Sequence, residues 1–302
     1  MLKFKRQRNL NSRTTPELIF AIFNYTLLAL IGFVTIYPMW HVICASVSDP
    51  KQMMAHNGLL FLPKGLSFSA FKQMFEYPLL FKSFLNTLII VVVGSSYSLV
   101  LTAICAYILS VKNVYWNKLL GFMVTITMFI GGGMVPQYLL VSNTLHLNNS
   151  IWALILPAGI NVYNMIILRT SFSSIPDSIR EAAELDGASH FKTLFKIVLP
   201  LSKATLAVIL LYYAVSEWNA WFNASIYLTD RKKYPLQLIL REILLENNTD
   251  IVSSNSSQDQ TVGVGAIIKY ATIVFSTVPI LCVYPFLQKH FTKGVMIGAV
   301  KG

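Results

Sequence analysis

Six stretches of this chain are long and oily enough to cross a lipid bilayer. They run over residues 18–38, 84–110, 119–140, 150–169, 200–218 and 265–287, each bounded by charge, proline or a polar cluster. About 20 apolar residues in helical form match the hydrocarbon layer. Inside it no water satisfies the backbone, so only helices and closed barrels can span. A barrel requires strands of alternating polarity, and these runs are continuously apolar. The expected fold class is an all-α integral membrane protein with six transmembrane helices. Composition agrees: 55% of residues are hydrophobic and 12% are charged, against about 25% charged in a soluble domain.

Lysine and arginine set the orientation. With the N-terminus in the cytoplasm, the inner segments hold fifteen basic residues: Lys3, Lys5, Arg6, Arg8, Arg13, Lys112, Lys118, Arg169, Arg180, Lys192, Lys196, Lys203, Lys289, Lys293 and Lys301. The outer segments hold eight: Lys51, Lys64, Lys72, Lys82, Arg231, Lys232, Lys233 and Arg241. Positive charge accumulates inside, so both termini are expected to be cytoplasmic. Lys269 lies near the outer end of the sixth run, within snorkelling reach of the interface. The net charge of +11 then follows from topology. It does not point to nucleic acid, because the basic residues lie between apolar runs and form no single face.

The N-terminal basic cluster and first run resemble a signal peptide, but 18–38 exceeds a typical apolar core and no A-x-A site comes after it. His41-Val42-Ile43 before Cys44 is a poor lipoprotein cleavage context. A retained first span is expected. The chain then divides into a cytoplasmic tail (1–17), a membrane domain (18–287) with outer loops at 39–83 and 219–264, and a second cytoplasmic tail (288–302). The tract NNTDIVSSNSSQDQ within 247–260 reads as an exposed, mobile loop. Its Asn-x-Ser/Thr triplets read as loop composition. Gly131–Gly133 with Pro136, Pro157 with Gly159, and Pro279 with Pro285 interrupt the third, fourth and sixth runs. Such breaks are tolerated where protein or water covers the freed backbone.

Against this oily background, residues 173–200 are polar. The sequence SSIPDSIREAAELDG reads as a short helix capped by Ser174, with Pro176 and Asp177 in its first turn, or else opened by a capping box from Ser178 to Glu181. Gly187 ends or kinks it. Phe191, Leu194, Phe195 and Val198 then recur at helical spacing before Pro200. Ile175, Ile179, Ala182 and Leu185 form a modest apolar face. Ala182, Ala183 and Gly187 permit close approach, and Arg180, Glu181 and Glu184 offer ion pairs around it. A docking element fits this chemistry. A helix resting on lipid is the alternative, disfavoured by its acidity against a negative membrane surface.

The spacing is specific. Glu181-Ala182-Ala183, three residues ending in Asp186, Gly187, nine residues, then Ile197-Val198-Leu199-Pro200 resembles the EAA signature of ABC importer permeases. The form EAAELDGAS is similar to the carbohydrate-uptake, MalG-like branch. Ser83-Phe84-Leu85-Asn86-Thr87 resembles the opening of the transporter core in those permeases, and Glu217-Trp218-Asn219 the close of the fifth span. The tail from Lys293 to Gly302 resembles the LplC- and YtcP-like oligosaccharide permeases. The resemblance implies a type I (MalG/MetI-like) transmembrane domain in a bacterial cytoplasmic membrane. It implies a coupling role for Glu181, Ala182, Ala183, Asp186, Gly187, Ile197, Leu199 and Pro200, gripped by a dimer of separate ATPase subunits. It further implies a second homologous permease, an extracellular solute-binding protein and an oligosaccharide cargo. ATP and Mg²⁺ would sit on the ATPase; this chain has no G-x-x-x-x-G-K-[ST]. The loop 219–264, with Asp230, Arg231, Lys232 and Lys233, would meet the binding protein, and the C-terminal tail would reach toward the ATPases.

Sugar sites pair aromatic faces with amides or carboxylates. Glu217, Trp218, Asn219, Trp221 and Asn223 supply both, and helical continuation would place Trp218 and Trp221 on one side. An interfacial aromatic belt needs no ligand and is favoured for each tryptophan singly. Glu217, a carboxylate at a membrane span, is a functional candidate, facing either cargo or a basic group of a partner. Tyr212, Tyr213, Asn161, Tyr163 and Asn164 are weaker cavity candidates. Cys44, Cys105 and Cys282, like the five histidines, are scattered without metal-ligand spacing. No catalytic constellation stands out. An ion-coupled transporter would need charged relays in its spans, and a membrane enzyme would need clustered His, Asp or Ser chemistry; neither pattern is present.

Overall fold

The computed structural model describes residues 15–56, 58–245 and 268–282. Among them the chain is helical, and one isolated bridge, Ser48–Leu66, is its only β-type pairing. The basic N-terminal cluster, the tract 247–260, Pro285 and the tail 288–302 lie outside the described residues. The chain divides into two compact units: Met1–Lys72 with Val252–Val274, and Gln73–Ile251 with Phe275–Gly302.

In the first unit, helix α1 (Thr15–Ser46) is 32 residues long. It does not stop at Pro38, as the apolar run suggested, but passes through it for two further turns. Proline removes one backbone donor, a loss tolerated in an apolar helix whose neighbouring bonds persist. Its large apolar side chains from Leu18 to Ile43 are mostly exposed, while Cys44, Ala45 and Ser46 are buried. The segment after α1 is no loose loop. Asp49 caps helix α2 (Pro50–Met54), accepting from the N–H groups of Lys51 and Gln52 at 3.0 and 3.2 Å. Ser48 donates to Cys44 O at 2.6 Å and accepts from Lys64 N–H at 3.1 Å. Trp40 Nε1 donates to Phe61 O, and Leu60 N–H to the Tyr37 hydroxyl, both within 2.9 Å. Leu60 packs under Cys44 and Ala45. The stretch expected as an outer loop is thus folded back on the end of α1, because its turn residues find backbone partners there.

Helix α3 (Ser69–Glu76) leads toward α4 (Leu80–Ser110), the second uninterrupted apolar helix. One π turn, Ile90–Gly94, lies within α4. Helices α5 (Asn117–Ile126) and α6 (Met134–Leu139) fill the third run. Its break already begins at Thr127, ahead of the glycines. The fourth run holds α7 (Trp152–Ile155) and α8 (Val162–Ser173), separated by a 47° bend. Then come α9 (Asp177–Leu185), α10 (His190–Leu201) and α11 (Lys203–Asn219); α10 and α11 meet at 89°. Last are α12 (Phe222–Tyr227), α13 (Leu236–Leu245) and α14 (Ile268–Cys282). By length and composition two described helices suffice to cross a membrane, or four if each bent pair is one span.

The core of the second unit joins α4, α8 and α10. Ala103, Ala106 and Tyr107 pack with Met165, Leu168 and Phe172, and with Leu194 and Val198. The bend between α7 and α8 is held by side chains of α4 and α11. Ser98 donates to Ala158 O at 3.3 Å. The Tyr213 hydroxyl accepts from Asn161 N–H at 2.9 Å and lies 2.6 Å from Thr102 Oγ1. Asn161 itself caps α8 through Asn164 N–H. A backbone donor freed in an apolar surrounding must be satisfied, and Tyr213 does this. Tyr213 and Asn161 therefore both serve the bend.

Tyr213→Phe leaves the Asn161 N–H and Thr102 unpaired. It is expected to lower the stability of the purified protein by about 1–3 kcal/mol, read as an earlier unfolding transition in detergent.

Candidate functional site

The EAA segment forms a short helix of its own. α9 begins at Asp177 behind Pro176, and no side chain caps it. Ser174 instead ends α8, its hydroxyl bonded to Ser171 O at 2.7 Å, and Ser178 lies inside the helix, so neither expected cap operates. Asp177 suits the positive helix end and pairs with Lys112 Nζ at 2.6 Å. This bond holds its carboxyl below the usual range. Both partners are largely exposed, so the pair adds little stability; that contribution is present at neutral pH and fades as acid protonates Asp177. At the other end, Gly187 N–H donates to Glu184 O at 3.0 Å and Ala188 N–H to Ala183 O at 2.9 Å. This is the Schellman pattern, which demands a left-handed residue. Gly187 supplies it with φ of 72°. No other atom lies within 4 Å of where a Cβ would stand, so glycine serves the conformation and leaves the surface open.

Arg180 corrects the expected picture of this helix. It offers no ion pair outward. It is 8% exposed, turned into the bundle, and grips two helix ends. One guanidinium nitrogen donates to Ser110 O at 3.2 Å, the other to Phe172 O at 2.7 Å and Ser110 Oγ at 3.2 Å. Its carbon lies 5.9 Å from the Tyr107 ring centre. Ser110 and Phe172 sit in the last turns of α4 and α8, where carbonyls lack helical partners and the dipole is negative. Arg169 Nε joins the same end at Leu109 O, 3.0 Å away. Ala183 is buried beside Arg180. Glu181, Ala182, Glu184, Asp186 and Gly187 remain exposed, and Leu185 is 90% exposed. The supposed apolar face is divided, since Ile175 lies in the core before the helix begins.

Beyond Gly187, Ser189 caps α10. Leu194 and Val198 are buried, Ile197 and Leu199 half-buried, and Pro200 exposed. Phe191 and Phe195 face outward at 67% and 50% exposure. The right-angle turn falls at Ser202, two residues after Pro200.

The span-five candidates do not converge. Glu217 is buried in α11 with its carboxyl beside Gly94 of the π turn. Trp218 is also buried; it stands edge-on to Phe84 and donates to Ser276 O at 3.2 Å. α11 ends at Asn219, and Ala220 is extended, so the helical side expected to join Trp218 and Trp221 does not exist. Trp221 lies under Arg241, 3.8 Å from ring centre to guanidinium carbon. Asn219 is exposed and donates to Val215 O; Asn223 is half-buried.

The outer-loop candidates stand on an ordered turn. Asp230 caps Arg231–Lys233, accepting from Lys232 N–H at 2.9 Å. Arg231 pairs with Glu242 at 2.6 Å, Lys233 Nζ donates to Asn149 O at 2.6 Å, and Lys232 is exposed. Asn149, at φ of 54°, accepts from the N–H groups of Thr229 and Asp230. Asn86 and Thr87 bond the same loop from α4. The stretch SFLNT gives no local sign of this use, because its partners lie about 150 residues away. Among the described residues no group of three or more His, Cys, Asp or Glu is placed to hold a metal ion.

The chain matches the family described as binding-protein-dependent transport system inner membrane component over residues 10–297. It is 39% identical to the polygalacturonan/rhamnogalacturonan transport system permease protein YtcP of Bacillus subtilis over 94% of this chain and 99% of the relative. It is 38% identical to LplC of the same organism over 94% of this chain and 95% of the relative. Its fold is similar to that of a chain in a bacterial ABC transporter involved in the import of the acidic polysaccharide alginate. There the TM-score is 0.83 at 30% identity, covering 92% of this chain and 99% of the other. The chain belongs to the binding-protein-dependent transport system inner membrane components, the permease subunits of ABC importers.

Proposed function

We propose that this permease is one of two homologous membrane subunits that together enclose the path of an acidic, uronate-containing oligosaccharide. Six helices cross the bacterial cytoplasmic membrane, with both termini inside. α9 and the turn at Gly187 dock into a cleft of an ATPase subunit, one of a dimer that holds ATP and Mg²⁺. A solute-binding protein delivers cargo to the outer loop around Asp230–Lys233. Glu217, Asn219 and Asn223 remain candidates for the path. The burial of Trp218 and the cover of Arg241 over Trp221 favour packing roles for the two tryptophans.

One observation carries the coupling assignment. A short helix with Glu181, Ala182, Leu185 and Asp186 exposed is fixed through Arg180 to the ends of two bundle helices. A partner that grips its outer face therefore moves the bundle, biasing one of two packed states. The cargo assignment rests on the named cargoes of the relatives, polygalacturonan/rhamnogalacturonan for YtcP and alginate for the structural neighbour.

Copurification of the ATPase tests the docking role. Glu181→Lys and Gly187→Val are expected to cut recovered ATPase about tenfold while the permease itself still folds; undiminished recovery with both sinks the assignment. Arg180→Lys keeps charge but loses the planar fork. It is expected to retain the ATPase yet weaken transport more than binding, as judged by uptake in proteoliposomes. For cargo, the reconstituted complex is expected to raise its ATP hydrolysis with a binding protein loaded with oligogalacturonate and to ignore maltodextrin. The reverse preference refutes the acidic cargo.

A further inference from the structure

α4 is fastened by polar bonds at both ends, to different parts of the molecule. At one end Asn86 Nδ2 donates to Lys232 O at 2.9 Å and Tyr234 O at 3.1 Å, and Thr87 Oγ1 accepts from Leu236 N–H at 2.8 Å. All three partners are backbone groups of the outer loop, so the bonds fix the path of its chain. Thr87 is fully buried and Asn86 nearly so. Polar side chains at such depth cost stability unless bonded, and their loss would strand the backbone groups they serve. At the other end, the final carbonyls of α4 are held by Arg169 and Arg180. Asn86 and Ser110 are roughly 36 Å apart along the helix axis. The π turn between them does not break the rod, which remains one helix of 31 residues.

A stiff helix tied by directional bonds to two segments transmits displacement between them. We propose that α4 is the strut by which docking at the 229–236 loop sets the position of α9, with Asn86 and Thr87 as its positioning residues at the outer end. This rests on the reading that the loop meets a solute-binding protein and α9 an ATPase. The loop keeps separate support from Asn149, Asp230 and the Arg231–Glu242 pair. Cutting the α4 fastening therefore leaves the docking surface formed but disconnected.

The test uses the complete complex of both permeases and the ATPase pair in lipid nanodiscs, with its binding protein loaded with oligogalacturonate. Basal ATP hydrolysis, affinity for the binding protein and hydrolysis at saturating binding protein are measured separately. For Asn86→Ala/Thr87→Val, basal hydrolysis and affinity are expected to stay within about twofold, while stimulation at saturation falls about fivefold or more. Thr87→Ser, which keeps the hydroxyl, is expected to behave like the unaltered chain. Full stimulation in the double variant overturns the proposal. So does an affinity loss whose effect disappears at saturation, which would make the two residues docking supports only. If the double variant fails to assemble, Asn86→Ala alone decides, since Thr87 still holds Leu236: reduced stimulation supports the strut and undiminished stimulation overturns it. Absence of stimulation in the unaltered complex would refute the underlying reading instead.

Discussion

The bond network of Arg180 is the contact on which the placement of α9 depends. A guanidinium buried among apolar side chains is costly unless its donors are met. Here the acceptors are carbonyls that end two helices, α4 and α8, and these need donors of their own. The two terminal nitrogens and these carbonyls satisfy one another, while Arg180 Nε is buried without a partner. The planar fork also reaches two helices at once, which a lysine would not. As a result a nine-residue helix with few buried side chains is fixed at one place on the bundle. Its opposite face is left exposed, with the Schellman turn at Gly187 presenting backbone and small side chains.

The same rule recurs at three departures from regular helix. The bend between α7 and α8 frees an amide, and the Tyr213 hydroxyl takes it. The loop 229–236 carries backbone groups over α4, and Asn86, Thr87 and Asn149 meet them. The folded-back segment after α1 is closed by Ser48, Asp49 and Trp40. Tyr213, Asn86, Thr87 and Trp40 serve backbone far away in the sequence, whereas Asp49 caps the helix that directly follows it. A chain with 12% charged residues has few such groups, and their placement decides where breaks are tolerated.

Much of the fold is legible in the order of residues. Continuous apolar runs exclude strands, and the spacing from Glu181 through Gly187 to Pro200 identifies the family. The misreadings have two causes, helix ends that fall elsewhere than the local pattern suggests and partners far away in the sequence. Ser174 looks like a cap and Arg180 like a surface cation because local pattern assigns polar residues to caps and water. Trp218 and Trp221 look like neighbours when a helical period is carried two residues past the helix end. Asn86 and Thr87 read as part of a motif without a job. For Arg180, Trp218, Asn86 and Thr87 the deciding partner lies on another element: Ser110 for Arg180, Phe84 and Ser276 for Trp218, residues 232–236 for the asparagine and threonine.

The sequence by itself determined that the chain is helical, apolar and interrupted by one small, charged segment, because the demand for internal backbone bonding in lipid and the period of side chains act locally. It also placed Gly187, since a left-handed turn selects its residue wherever the helix sits. Only the tertiary structure decided which polar groups face inward. A buried donor is stable only opposite an acceptor, and the acceptors of Arg180, Asn86 and Trp218 are backbone carbonyls. Every residue has one, so nothing in the order of side chains marks which carbonyl will be met.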